Sequence, residues 1–76
     1  MIMKEEIKAL LSDALPMVDF ESEFLFEQLD SIGVVTILTV LGNQYSIPLN
    51  MQDATPKNLI SLDALVRMVE SKLKKP

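Results

Sequence analysis

Val34-Val35-Thr36-Ile37-Leu38-Thr39-Val40-Leu41, followed by Gly42-Asn43 and Gln44-Tyr45-Ser46-Ile47, has two readings that lead to different proteins. Its β-branched residues favour a strand, and Gly42-Asn43 has the look of a hairpin turn. Its periodicity favours a helix, because Val34, Ile37, Leu38, Leu41 and Tyr45 fall at i, i+3, i+4, i+7 and i+11, on one helical face. Polar residues do not alternate with apolar ones as a half-buried strand requires. A lone two-stranded hairpin, with no other strands to pair with, is also marginal in water. Asp30 or Ser31 offers an N-cap oxygen just ahead of the run. The helical period therefore prevails, and a helix is expected from about Ser31 to about Gln44.

Working outward, Met3, Ile7, Leu10, Leu11 and Ala14 form one helical face in the segment Met3 to Leu15. Glu5 and Glu6 suit the positive end of its dipole, and Pro16 pushes the preceding residue out of the helical region. From Pro16 to Leu29 no period is sustained. Val18, Phe20, Phe24, Leu25, Phe26 and Leu29 are scattered there among acids, and all three phenylalanines of the protein belong to this segment. The phenylalanines are expected to anchor the connection over the open end of a bundle, with a short helical turn around Ser22 to Phe26. Pro48 breaks the chain again, and Leu49 to Ala54 reads as loop. Thr55-Pro56 places a capping hydroxyl before a proline at the first helical position, which predicts a short helix over Pro56 to Leu59. Ser61 caps a last helix with Leu62, Leu65, Val66, Val69 and Leu73 at helical spacing. Asp63 near its start and Lys72, Lys74 and Lys75 near its end complement its dipole. The expected fold is all-α: a small four-helix bundle, three longer helices and one short, with a long loop between helices 1 and 2. It fills residues 1–76 as a single domain.

Composition narrows the chemistry. With 76 residues and no Cys or His, the chain has no disulfides, thiolate nucleophiles, imidazole bases or common zinc ligands. Neither Lys nor a carboxylate stands at a recognised spacing from Ser31, and two separated glycines cannot build a phosphate loop. Nothing reads as an active site, so the protein is not expected to be an enzyme, and no metal site is expected. The net charge of −4 argues against nucleic acid as a partner. Its distribution matters more: no basic residue lies between Lys8 and Lys57, while Asp13, Asp19, Glu21, Glu23, Glu27, Asp30 and Asp53 all do. A protein with a basic face would be steered towards that tract. Met1-Ile2-Met3 runs straight into Lys4-Glu5-Glu6 without an apolar signal core, and Val34 to Leu41 is too short to span a bilayer. A cytoplasmic protein without membrane insertion is the expectation, and a monomer.

Leu29-Asp30-Ser31-Ile32-Gly33 is the remaining stretch with chemical content. Ser31 opens a helix, where unpaired backbone N–H groups and the dipole favour a phosphate. Ile32 and Gly33 offer an apolar and then an open surface to an attached organic arm. The same residues also suit an ordinary helix cap.

The chain resembles the acyl carrier proteins. The resemblance runs through Leu29-Asp30-Ser31-Ile32-Gly33 and the helix after it, Ile47-Pro48-Leu49, Ala54-Thr55-Pro56-Lys57-Asn58-Leu59, and Ser61-Leu62-Asp63-Ala64-Leu65. It implies that Ser31 carries 4′-phosphopantetheine, placed there from coenzyme A by a phosphopantetheinyl transferase that Asp30 helps to orient. An acyl group would ride on the arm as a thioester and be presented to successive biosynthetic enzymes, as in fatty acid, polyketide or nonribosomal peptide biosynthesis. Leu38, Leu41, Val66 and Val69 belong to the core, and are also where a folded-back acyl chain would lie.

The chain departs from the fatty-acid carriers in having no charge from Ser31 to Gln52, with Thr36, Thr39, Asn43 and Gln44 where acids are usual. Gly33 is similar to the glycine of D-alanyl and other specialised stand-alone carriers. The resemblance therefore implies a dedicated carrier that docks through Leu29, Ile32, Gly33 and Val35, with steering by the Asp19 to Asp30 segment. An aminoacyl or peptidyl carrier loaded by an adenylating ligase is the alternative within the class. An unmodified acidic helical interaction domain is the alternative outside it.

Overall fold

The structure, a computed structural model, describes residues 2–74. Four α-helices are present, α1 (Ile2–Ala14), α2 (Ser31–Tyr45), α3 (Pro56–Leu59) and α4 (Leu62–Leu73), and no strand occurs among the described residues. Two short 3-10 turns, Leu25–Gln28 and Met51–Asp53, punctuate the connections. No helix among the described residues is long and apolar enough to cross a membrane. Lys75, expected near the last helix end, lies outside the described residues.

The helical period, not the β-branched composition, determines α2. Val34, Ile37, Leu38 and Leu41 are all buried, and Tyr45 packs half-buried against them. Gly42-Asn43 is helix interior rather than a hairpin turn. The helix ends one residue beyond expectation, at Tyr45, and the next residue, Ser46, adopts the left-handed conformation (φ 52°, ψ 47°) and donates its N–H to Gly42 O. The chain then folds back over the last turn, with Ile47 N–H also donating to Gly42 O at 3.1 Å. A Cβ at Gly42 would stand 3.3 Å from Ile47 O, so glycine permits this close return.

Helix α1 packs on both α2 and α4, α2 packs on α4, and α3 lies against α4 and the Leu25–Gln28 turn. Ile7 and Leu11 of α1, Leu59 of α3, and Leu65 and Val69 of α4 are fully buried in the same cluster as Ile37 and Leu41. This is the dense aliphatic core that a short chain poor in aromatics requires. Caps fix the later elements as the sequence predicts: Thr55 Oγ1 accepts from Asn58 N–H at 3.1 Å, and Ser61 Oγ from Ala64 N–H at 3.2 Å. Asn50 and Asp53 add a reciprocal capping box around Met51–Asp53.

Three apolar expectations fail. Ala14 is exposed, because α1 ends there and Leu15, its N–H still on Leu11 O at 2.8 Å, takes the half-buried place. Leu73 is 45% exposed, because Lys72 turns inward beside it to meet Asp53 at 3.0 Å with a side chain only 20% exposed. Of the phenylalanines, only Phe20 is an anchor; Phe24 and Phe26 are 62% and 37% exposed, and Leu25 between them is fully buried. Neighbours on so tight a turn cannot all face inward. The helical turn also falls later than expected, because Ser22 Oγ accepts from Phe24 N–H at 3.0 Å and commits that backbone to a bend first.

Candidate functional site

Leu29 and Asp30 are extended, and α2 starts at the next residue. Asp30 is the N-cap: its Oδ1 accepts from Gly33 N–H at 2.7 Å, and its carbonyl accepts from Val34 N–H at 3.0 Å. The sequence offered Asp30 or Ser31 for this role, and the carboxylate takes it. Ser31 is therefore the first helical residue, exposed, with a hydroxyl that makes no hydrogen bond among the described residues. Among the described residues no base hydrogen-bonds to that hydroxyl. The backbone N–H groups of Ser31 and Ile32 have no acceptor within the helix, as at any helix start, and they stand at the positive end of its dipole. Spare donors and the positive end of the dipole favour a negatively charged group at this place.

Gly33 is buried, contrary to the open surface expected of it. A Cβ there would meet Asp30 Oδ1 at 3.3 Å and Leu29 Cδ2 at 3.5 Å. Its small size lets the capping carboxylate and the half-buried Leu29 side chain close over the first turn. Leu29 itself is half-buried and packs against the core. Ile32 and Val35 are outward, 76% and 49% exposed. With exposed Thr39 and Asn43 they make an uncharged stripe at i, i+3, i+7 and i+11 along α2, opposite its core face.

The acidic approach to this site is held in shape by its own side chains, as long ordered connections usually are. Gln28 clamps Asp19 from both sides, donating Nε2–H to Asp19 O at 3.0 Å and accepting Asp19 N–H on Oε1 at 2.8 Å. Lys8 pairs with Glu21 at 3.1 Å, and Leu25 N–H donates to Ile60 O at 3.0 Å. Phe20 and Leu25 bury themselves, while Glu23 and Glu27 remain exposed alongside Phe24 and Phe26. The Gln28 clamp and the exposed aromatic pair were missed in the sequence. The signal for the pair was the flanking of Phe24 and Phe26 by Glu23 and Glu27 with Leu25 between.

At the far end of α2, Tyr45 Oη donates to Glu6 on α1. Burial first, then that hydrogen bond and the Glu6 charge, push the Tyr45 hydroxyl up to about 12. At the start of α4, Lys4 meets Asp63 at 2.9 Å. The hydrogen bond from Lys4, helped by its charge, holds the Asp63 carboxyl below its ordinary range.

Among the described residues, concavities lie away from Ser31. One of about 350 Å³ lies between α3 and α4, and one of about 140 Å³ is bounded by Lys4, Phe20 and the start of α4. Leu38, Leu41, Val66 and Val69 line neither and are packed in the core. Comparison with protein-family models, curated proteins and solved structures finds no match.

Proposed function

We propose that this chain is an acyl carrier, a small four-helix bundle with a long ordered loop before its second helix, whose Ser31 accepts 4′-phosphopantetheine from coenzyme A. The observation that carries the reading is the division of labour at the start of α2: Asp30 caps the helix and leaves the adjacent Ser31 hydroxyl exposed and uncommitted. The sequence resemblance through Ser31, Thr55-Pro56 and Ser61-Leu62-Asp63-Ala64-Leu65 supports it from the rest of the chain.

In this reading the Ser31 oxygen attacks the pyrophosphate of coenzyme A at the phosphorus bearing the pantetheine, inside a separate transferase. A phosphodiester forms, 3′,5′-adenosine bisphosphate leaves, and the serine proton passes to a base of the transferase. Once attached, the arm supplies a terminal thiol on which an acyl group is carried as a thioester. Asp30 keeps α2 capped so that Ser31 stays at the helix start, and its carboxylate is a recognition point for the transferase. The spare N–H groups of Ser31 and Ile32 would be the donors available to a phosphate held there. Ile32 and Val35 form the docking contact and the acidic segment from Asp19 to Asp30 steers a basic partner, so encounter is fast while the small contact keeps release easy. The carrier itself catalyses nothing, and it works as a cytoplasmic monomer.

The uncharged stripe Ile32, Val35, Thr39, Asn43 favours a dedicated loading enzyme over a general fatty-acid synthase, and an adenylating ligase that loads an amino acid is the second reading. Incubation with a promiscuous phosphopantetheinyl transferase and fluorescently labelled coenzyme A tests the proposal. Labelling of the wild-type chain and none of Ser31→Ala is expected. An unlabelled wild type, or equal labelling of both, refutes it and leaves an unmodified interaction domain.

A further inference from the structure

Positive charge in this acidic protein gathers on the α3–α4 side. Ala64, Arg67, Met68, Ser71 and Lys72 recur at i, i+3, i+4, i+7 and i+8, one face of α4, and that face forms a groove of about 350 Å³ with Lys57 and Asn58 of α3. Ala64, the smallest of these residues, is buried at the floor of that face. One end is fixed in place. Asn58 Nδ2–H donates to Asp53 O at 2.9 Å, and Lys72 Nζ meets Asp53 Oδ1 at 3.0 Å.

These contacts occupy Lys72 and offset the Asp53 charge. Lys57 and Arg67 remain, and neither makes an ion pair among the described residues. The charge of Arg67 reaches Asp63, whose carboxyl is answered first by Lys4. The Ser71 hydroxyl is likewise uncommitted among the described residues. Two cations without an ion pair among the described residues, Lys57 and Arg67, and the Ser71 hydroxyl therefore line one concavity beside the paired Lys72 and Asp53, in a protein whose net charge is −4.

We propose that this groove binds a phosphomonoester of about mononucleotide size. A volume near 350 Å³ lies in the range of small-ligand sites, ~300–1,000 Å³, and is far larger than a lone phosphate needs. A guanidinium presents a planar fork of donors that matches phosphate oxygens two at a time, and a lysine adds a point charge. A dianion answers both cations, where a monocarboxylate answers one. Nucleic acid is disfavoured because the protein carries a net charge of −4 and only a few cations gather at the groove. Exposed charges are screened by water and salt, so affinity in the millimolar range is expected.

The proposal does not depend on Ser31, and its test uses the Ser31→Ala chain so that no modification enters. Adenosine monophosphate is titrated at constant ionic strength while backbone amides are followed by nitrogen-15 NMR, with inorganic phosphate and succinate as parallel arms. Saturable shifts centred on Asn58, Arg67 and Ser71 are expected with adenosine monophosphate. Inorganic phosphate should move the same amides, and Arg67→Gln should weaken binding at least threefold, with its otherwise unchanged spectrum showing that the fold is kept. Shifts that never saturate, that spread equally to Lys4, Lys8 and Lys74, or that survive Arg67→Gln overturn the proposal. Succinate binding as well as the nucleotide also overturns it and assigns the groove to carboxylates.

Discussion

Asp30 and Ser31 differ in what they do for the fold, and that difference is measurable. Replacing an N-cap acid by alanine costs ~1 kcal/mol, within a range of about 0.5–2, so Asp30→Ala should lower stability by that amount in urea denaturation. Ser31→Ala, which removes a hydroxyl without a partner, should stay within about 0.5 kcal/mol of wild type. Equal losses in both variants would mean that the serine shares the cap. Ser46 offers a second residue-level test. Its φ of 52° costs a residue with a Cβ about 1–2 kcal/mol, while glycine's extra unfolded-state freedom returns about 0.4–1 of that, so Ser46→Gly should stabilise by roughly 0.5–1 kcal/mol.

Tyr45 supplies a pH dependence of known sign. Its hydroxyl is raised from 10.0 to about 12 in the folded chain, so the folded state holds that proton more tightly than the unfolded one. The stabilisation is fully present below the unfolded value and is lost as pH rises through the interval to about 12. Denaturation midpoints should fall over that interval in wild type and fall less in Tyr45→Phe. Parallel curves would show that Glu6 and burial do not hold the phenol as described.

At the scale of elements, the connection between α1 and α2 was the least legible part of the chain. The periods of α1, α2 and α4 could be read because helices repeat, and the Thr55-Pro56 and Ser61 caps could be read because their chemistry is local. The segment from Pro16 to Leu29 has neither property. Choosing Leu25 over two larger phenylalanines for the core depends on the Leu25 to Ile60 hydrogen bond and the Asp19–Gln28 clamp, both made across sequence distance. Leu25→Ala should therefore cost about 2–5 kcal/mol as a buried leucine, and Phe24→Ala less than about 1. The reverse order in thermal or urea unfolding would restore the phenylalanines as anchors. The same reasoning explains the miss at Leu73: helical spacing marks a face, and Lys72 has a better partner at that depth in Asp53.

For the whole molecule, the layout separates three tasks. The aliphatic core holds α1, α2 and α4 together, the acidic connection leads to the start of α2, and positive charge collects on α3 and α4. The candidate serine was singled out by the resemblance to acyl carrier proteins across the later motifs, because an Asp-Ser pair ahead of an apolar helical run suits an ordinary helix cap equally well. Which member caps was not legible, because both residue types cap well and the choice depends on where the backbone turns from extended to helical. The burial of Gly33 was hidden for a similar reason, since it follows from how closely Leu29 and Asp30 fold over the first turn.

The claim that Ser31 bears the carrier arm is tested most directly by mass spectrometry with fragmentation, after treatment with unlabelled coenzyme A and a phosphopantetheinyl transferase. The account predicts a single added phosphopantetheine, located on the peptide containing Ser31 and absent from Ser31→Ala. An unchanged mass, or an adduct on any other serine, contradicts it.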